Sequence, residues 1–239
     1  EGRAMGTFAQ DTANEYQLTR EEMDDYSIES LRRANAAIES GAFDGEVVPV
    51  TIVTRKGETT VEHDEAPGKG NPDKIPQLRP AFAKDGTITA ATSSSISDGA
   101  AAVVLSRESV AKENGQTPVA KIVGLAAHAQ EPSKFTVAPI GAIEKLLEQT
   151  GWSAEDVDLW EVNEAFACVA MFAMRDIGIP HDKINVNGGG TALGHPIGAS
   201  GTRIIVTLLN ALKQQGKKRG IASLCIGGGE ATAVAVEMV

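Results

Sequence analysis

Apolar residues recur at helical spacing between two helix signals near the start of the chain. These apolar positions are Met23, Ile28, Leu31, Ala34 and Ile38. Thr19 and Glu22 form a capping-box signature ahead of them, and Gly41 is a stop signal behind them. The pattern therefore predicts a helix over about residues 20–40.

The pattern then changes to short strand-like runs separated by turn residues. Residues 46–55 and 59–65 read as two strands about a turn at Gly57. Residues 66–80 contain four prolines and two glycines with little periodicity, which predicts a loop. Residues 86–106 predict a strand, a bend of small residues and a second apolar strand, followed by a short helix that ends at Gly115.

From Val119 onward, predicted strands and helices alternate. The predicted strands are residues 120–129, 157–162, 183–187, 219–226 and 230–239, and the predicted helices are 139–149, 164–177 and 198–215. This order is typical of layered α/β proteins, in which a sheet lies between helices.

Two segments resemble each other. Residues 98–106 and 229–237 both place a small-residue turn before an apolar strand. Duplicated halves would explain the likeness, but two strands rich in alanine and valine also look alike by chance, and both explanations stay open.

Composition and charge narrow the function. The chain has 239 residues, of which 42% are hydrophobic and 23% charged, and a net charge of −10. It contains no long basic run, which argues against nucleic-acid binding. The apolar stretches at 100–105 and 204–212 are too short or interrupted to span a bilayer, so we expect no membrane association. Cys168 and Cys225 fit neither a disulfide framework nor a zinc site, which indicates a reducing compartment.

Residues 185–203 hold six glycines and one histidine. Gly194 and Pro196 flank His195, which removes bulk around the ring and keeps the histidine backbone extended. The predicted helix from Gly198 directs free N–H groups to the same place, where they favour an anion or a developing oxyanion. A structural histidine in a turn is the alternative, but the setting favours function.

Cys225 ends a predicted strand and precedes Gly227, whose backbone N–H is not shielded by a side chain. Such N–H groups stabilise a thiolate or an oxyanion. The alternative, a buried inert thiol, fits Cys168, which lies on an apolar helix face. Asn163 ends another strand, and by itself it reads as a helix N-cap. The serines at 93–95 read as a polar turn that caps a helix, with ligand binding as the alternative.

No nucleotide-binding glycine motif and no G-x-S-x-G motif is present. A histidine, a cysteine and an asparagine at strand ends remain, and together they indicate acyl chemistry.

Three blocks, NEAF at 163–166, NVNGGGTALGHPIGASGTR at 185–203 and CIGGG at 225–229, resemble in this order the signature blocks of thiolases. The resemblance extends over the whole chain. It implies an αβαβα layered architecture with a mixed sheet and an inserted loop domain. Its divisions here would be a loop domain at 1–94, the last strand and helix of the N-terminal half at 95–117, and the C-terminal domain at 118–239.

The resemblance also implies site roles. His195 would activate the nucleophile and bind the thioester oxygen, and Cys225 would be the acid/base at the α-carbon of acetyl-CoA. Asn163 would hold a water in the enolate oxyanion hole, and the Gly227 N–H would bind the acyl-enzyme oxyanion. The glycines of residues 185–203 would let the thioester lie on the backbone.

The coenzyme A contacts follow from the same resemblance. Ser94, Met5 and Phe166 match residues that contact the pantetheine arm or line its channel, and Phe135 matches a bulky acyl-pocket residue. Together with Tyr26, Phe135 resembles the mitochondrial-type acetoacetyl-CoA thiolases, some of which bind potassium. No tightly bound cofactor or structural metal is expected.

Three positions depart from the usual family pattern. Ala4 stands where short-chain members often have histidine, Ser97 replaces an asparagine, and Glu230 follows the three glycines. The change at Ala4 affects an expected coenzyme A contact.

The family's first segment, which carries the acylated nucleophilic cysteine, is absent from this sequence, and neither Cys168 nor Cys225 matches that cysteine. We therefore expect a partner segment, with acetyl-CoA, acetoacetyl-CoA and CoA as substrates and a homo-oligomer, dimer or tetramer, in the cytoplasm or the mitochondrial matrix. The expected reaction is thiolytic cleavage of acetoacetyl-CoA or the reverse Claisen condensation. The alternatives are a longer-chain 3-ketoacyl-CoA thiolase and a non-catalytic protein that binds CoA or acyl groups.

Overall fold

The computed structural model describes residues 2–239. Its helices are α1 (Met5–Glu15), α2 (Arg20–Glu39), α3 (Glu65–Lys69), α4 (Glu108–Glu113), α5 (Ala138–Thr150), α6 (Ala167–Ile177), α7 (Gly190–Leu193) and α8 (Ser200–Gln214). Its strands are β1 (Val50–Thr54), β2 (Gly57–Val61), β3 (Ala120–Ala129), β4 (Leu159–Val162), β5 (Arg219–Cys225) and β6 (Glu230–Met238). Short 3₁₀ turns cover Pro72–Gln77, Pro132–Val137, Ala154–Asp156 and His181–Lys183.

A mixed four-stranded sheet forms the centre of the fold. Its strand order is β3-β6-β5-β4. The β4–β5 pair is parallel, and the β3–β6 and β5–β6 pairs are antiparallel. This arrangement confirms the predicted α/β class with a mixed sheet.

Helices cover both faces of the sheet, because successive side chains of each strand point to opposite faces. On β6, Ala233 and Ala235 pack in the cluster that contains α5 and α6, while Val234 and Val236 pack against α8. Among residues 2–239, the sheet and its two helical covers thus supply three layers of the expected arrangement.

Helix α2 matches its prediction and packs against α7. The Thr19 side chain accepts a hydrogen bond from the Glu22 N–H, and the Glu22 carboxylate accepts one from the Thr19 N–H, so the predicted capping box is confirmed. Leu31 and Ala34 pack with Ala192 of α7. Helix α2 therefore lies directly against the glycine-rich segment.

The predicted hairpin about Gly57 is also confirmed, since β1 and β2 pair antiparallel and Gly57 has φ +123°. The loop prediction for 66–80 was wrong, because α3 extends into this range and a 3₁₀ turn covers Pro72–Gln77. Pro72 at the start of that turn and the Asn71 side chain, which accepts a hydrogen bond from the Asp73 N–H, explain why a proline-rich stretch still turns helically.

The two predicted strands within 86–106 were wrong. Only an isolated bridge from Ser93 to Phe166 forms there. Val104 and Leu105 are exposed, and among residues 2–239 no neighbouring strand pairs with them, so their backbone groups find no ladder. Of the two similar segments, only 229–237 forms a strand.

The buried strand predicted at 183–187 is reduced to one bridge between Ile184 and Trp160. Asn185 follows with φ +46°, a left-handed conformation that ends the extended backbone. Helix α6 begins at Ala167 rather than at residue 164, since Phe166 is extended and is its N-cap. These two deviations lie next to Asn163 and shape the site.

Candidate active site

His195 is held at the junction between α7 and α8. Gly194 before it has φ +89°, which lets the chain turn back, and the His195 N–H donates to the Ser95 carbonyl at 3.1 Å. The His195 Nδ1 atom lies 2.5 Å from the Ser200 hydroxyl oxygen. The same hydroxyl lies 3.1 Å from the Pro196 carbonyl, so we assign the serine proton to that carbonyl and the ring proton to Nδ1, which then donates to Ser200. With this assignment the Nε2 atom of the neutral ring is unprotonated and can act as a base.

Asn163 contacts the other ring nitrogen. Its Nδ2 atom lies 3.4 Å from His195 Nε2. Asn163 directly follows β4, and its backbone N–H donates to the Ser223 carbonyl of β5. Its Oδ1 atom is buried and has no hydrogen-bond partner among the described residues. The interpretation of Asn163 as a helix N-cap was wrong, because α6 begins four residues later.

The environment of His195 keeps the ring neutral. Burial lowers the pKa of His195 from its usual 6.5, and the positive charge of Arg203 lowers it further. At neutral pH the ring is therefore a proton acceptor, as a general base requires.

Cys225 ends β5 and is 7% exposed. Burial raises the pKa of its thiol to about 12, and the opposing effect of a backbone N–H is smaller. The expectation that nearby N–H groups favour the thiolate is therefore wrong for this structure, because desolvation outweighs them. Cys168 is fully buried on α6, where burial raises its pKa even more.

His195 and Cys225 line the same cavity, whose volume is about 2080 Å³. Seven of the eight site residues inferred from the sequence line it, and they are Met5, Ser94, Phe135, Phe166, His195, Cys225 and Gly227. Asn163, the eighth, contacts Nε2 of His195. The imidazole and the thiol thus face one space that is large enough for an extended ligand.

Three aromatic rings form one part of the cavity wall. Phe166 meets Phe82 with ring centroids 6.0 Å apart and Phe135 with centroids 6.3 Å apart, both edge to face. Phe82 was missed by the sequence analysis. The signal was Gly6, since a Cβ at that position would overlap the Phe82 ring.

The serine turn does not cap a helix, so that interpretation was wrong. The Ser94 hydroxyl donates to the Ala165 carbonyl at 2.9 Å, and the Ser94 N–H donates to the same oxygen. The Ser95 carbonyl binds the backbone of His195. The turn therefore joins the NEAF block to the histidine.

The glycines of residues 185–203 have two different explanations. A Cβ on Gly189 would overlap the Glu164 carboxylate, one on Gly190 would lie 2.8 Å from the Glu164 carbonyl oxygen, and one on Gly194 would overlap the Ser97 hydroxyl. These glycines permit internal packing, so the expectation that all of them support a thioester was wrong. Of these glycines, Gly198 and Gly201 border the cavity; a Cβ on Gly198 would meet no atom within 4 Å, and one on Gly201 would touch the Leu224 side chain at 3.9 Å.

Two further features concern membranes and metals. Within residues 2–239, no helix is long and apolar enough to cross a bilayer. In the same residues, side chains of His, Cys, Asp and Glu form no group of three that could hold a metal ion.

The chain matches two family models. Residues 116–238 match the thiolase C-terminal domain, and residues 1–109 match the thiolase N-terminal domain. The chain belongs to the thiolase family. Its fold is the thiolase-like α/β fold, as the resemblance implied.

Individual thiolases agree with this assignment. An acetyl-CoA acetyltransferase of Yarrowia lipolytica is 48% identical over 235 residues, which are 98% of this chain and 59% of that protein. The crystal structure of the Bacillus anthracis acetyl-CoA acetyltransferase superposes with a TM-score of 0.97 at 43% identity, over 99% of this chain and 60% of that one. A thiolase of Ascaris suum in complex with coenzyme A gives a TM-score of 0.90 at 41% identity, with the same coverage. This chain thus spans about 60% of the length of its thiolase relatives.

Proposed function

We propose that this chain is the C-terminal portion of an acetyl-CoA C-acetyltransferase, which cleaves acetoacetyl-CoA with CoA or catalyses the reverse condensation of two acetyl-CoA. The observation that carries the proposal is that His195 and Cys225 line one cavity. Gly198 lines the same cavity and leaves open space where a side chain would stand. The relatives are named acetyl-CoA acetyltransferases, which supports these substrates.

In the thiolytic direction, a cysteine of the partner segment attacks the 3-keto carbon, and the C2–C3 bond breaks to leave the enolate of acetyl-CoA. Cys225 then donates its S–H proton to C2 and becomes a thiolate. This thiolate takes the proton of the incoming CoA thiol, whose sulfur attacks the acetyl-enzyme and releases the nucleophilic cysteine. The raised pKa of the Cys225 thiol suits the donor role, because the thiol is protonated at neutral pH. In the condensation direction the same sulfur removes the proton from C2.

His195 acts on two atoms in this scheme. Its unprotonated Nε2 takes the proton of the attacking cysteine, and the protonated ring then donates to the thioester oxygen. Asn163 holds a water beside it through the buried Oδ1 atom that lacks a partner. The Gly227 N–H, in the turn after β5, binds the oxyanion of the acyl-enzyme.

Coenzyme A follows the cavity wall. Phe166 and Phe135 pack against the acyl and pantetheine groups, together with Met5 at the start of α1. Because the Ser94 hydroxyl proton is bound to Ala165, Ser94 accepts a hydrogen bond from the pantetheine amide rather than donating one. The Ascaris suum thiolase structure with coenzyme A supports this ligand class.

The nucleophile comes from the N-terminal segment of the family, since Cys168 lies outside the cavity and Cys225 serves as acid/base. The cavity continues onto an apolar surface that includes Ile122 and Leu125, which are exposed on β3. This surface supports docking of the segment. On this basis we keep the division into a loop domain at 1–94, a linking part at 95–117 and a C-terminal domain at 118–239.

The remaining proposals have less structural support. A dimer or tetramer and a location in the cytoplasm or mitochondrial matrix follow from the family, and the two free cysteines are consistent with a reducing compartment. Potassium gains no support from Tyr26, whose hydroxyl is engaged with Glu164 and Asn185.

The test is to combine this chain with the N-terminal segment of a curated acetyl-CoA acetyltransferase and to measure thiolysis. We expect turnover of acetoacetyl-CoA that exceeds turnover of longer 3-ketoacyl-CoA substrates. Faster turnover of the longer substrates would support the longer-chain enzyme instead. A complex that binds CoA but turns over no 3-ketoacyl-CoA would contradict the proposal and favour a binding protein.

A further inference from the structure

Glu164 is fully buried and joins three segments of the chain. Its Oε1 atom accepts from the Tyr26 hydroxyl at 2.8 Å and from Asn185 Nδ2 at 2.9 Å. Its Oε2 atom accepts from the Ser30 hydroxyl at 2.8 Å and from the hydroxyl and N–H of Thr191 at 2.7 and 3.1 Å. The carboxylate, on the segment that follows β4, therefore links α2, Asn185 and the start of α7.

Each oxygen faces one donor that cannot become an acceptor. Asn185 must present Nδ2, because its Oδ1 accepts from the Val162 N–H at 2.9 Å and its Nδ2 also donates to the Val162 carbonyl at 2.8 Å. On the other side, the Thr191 N–H is a backbone donor. A glutamine amide at position 164 would have to direct an N–H at one of these two donors. The site thus requires two acceptor oxygens.

Glu164 is connected to the segments that carry Asn163 and His195. Asn163, the preceding residue, contacts His195 Nε2. Thr191, held by Glu164, belongs to α7, and His195 follows this helix by two residues. Gly189 is close to the carboxylate as well, since its N–H donates to the same Ser30 hydroxyl and it has no room for a Cβ.

We propose that Glu164 is a positioning residue, which sets the distance between Asn163 and His195 by tying their two segments to helix α2. This inference rests on the proposed function. A carboxylate with five donors and no room to move holds two loops more firmly than packing alone, and an error of about 1 Å between catalytic groups lowers the rate on the order of a hundredfold.

The test compares E164Q with D24N in the reassembled protein. Asp24 is another buried carboxylate; it lies on α2 and accepts from Arg20 of the same helix rather than from a donor of the site segments. We expect E164Q to lower kcat about ten- to a hundredfold with KM for acetoacetyl-CoA within about twofold. D24N should leave kcat and KM within about twofold of the wild-type values, even if it lowers the stability of the fold as much as E164Q does.

An activity-free measurement separates this inference from the proposed function. In this chain alone, E164Q should shift the NMR signals of the His195 ring, and D24N should not. If the wild-type complex shows no turnover, the proposed function fails while the ring signals still decide the role of Glu164.

Unchanged kcat and unchanged His195 signals in folded E164Q would overturn the inference, as would a change in KM alone. If E164Q does not fold, T191V removes one donor to Oε2 and should lower kcat in the same direction by a smaller factor. Unchanged kcat in T191V would then overturn it.

Discussion

The hydroxyl oxygen of Ser200 lies 2.5 Å from Nδ1 of His195. We assign the ring proton to Nδ1 on this contact, because the serine hydroxyl also lies 3.1 Å from the Pro196 carbonyl, to which it can donate its own proton. The sequence analysis missed Ser200. The available signal was its position at the first residue of α8, five residues after the histidine.

Substitution of Ser200 by alanine should therefore impair His195. Nδ1–H loses its acceptor in a buried place, so the neutral ring no longer favours a free Nε2. We expect kcat of the reassembled protein to fall roughly tenfold, part of what a positioned base contributes. Nitrogen NMR of the ring should show the altered tautomer. S133A, at a serine on the 3₁₀ turn before α5, should change neither, and equal tautomer populations in S200A and wild type would refute the assignment.

The pKa of His195 gives a prediction for pH. Because burial favours the neutral ring, its NMR titration should have a midpoint below 6.5. The folded state then binds this proton less tightly than the unfolded state. Its contribution to stability is therefore complete above pH 6.5 and is lost as pH falls through the lower, folded-state value. A midpoint at or above 6.5 would contradict the described burial.

Glu161 should show the opposite dependence. Burial raises its pKa from 4.5 to about 8, against the attraction of Arg203. A raised carboxyl pKa means that stability falls as pH rises from 4.5 to about 8, since the unfolded chain loses the proton first. In urea unfolding, E161Q should thus gain stability relative to wild type from about pH 5 to about pH 9. A constant difference across this range would exclude the shift.

Two glycines of the same segment make a matched pair. G189A places a methyl group into the Glu164 carboxylate and should destabilise the fold by about 1–3 kcal/mol. G198A meets no atom within 4 Å and should change stability by less than about 0.5 kcal/mol. Urea unfolding of both variants measures the difference. Equal losses would show that the segment does not pack on Glu164 as described.

This pair also shows what the sequence could and could not predict. A cluster of glycines around a histidine indicated a site, and the structure places this histidine, His195, on the cavity. The sequence does not show which atom each glycine approaches, because Glu164 and Ser97 reach the segment only through the tertiary fold.

Local signals were sufficient where the stabilising contacts are local. The capping box of Thr19 and Glu22 and the stop at Gly41 predicted α2 to within one residue at its C-terminal end. Local signals failed where pairing with a neighbouring strand decides whether a segment becomes a strand. Residues 98–106 have strand-forming side chains but no neighbouring strand among residues 2–239. At Asn185, the side chain rather than the backbone binds the N–H and the carbonyl of Val162 on β4.

The central claim is that the thiol of Cys225 moves the α-proton in the cavity that it shares with His195. The most direct measurement compares acetoacetyl-CoA thiolysis by C225A and C168A, each reassembled with the N-terminal segment of a relative. C225A should lose on the order of a hundredfold or more in kcat, while C168A, a buried thiol outside the cavity, should remain within about threefold of wild type. A C225A protein as active as C168A would contradict the claim.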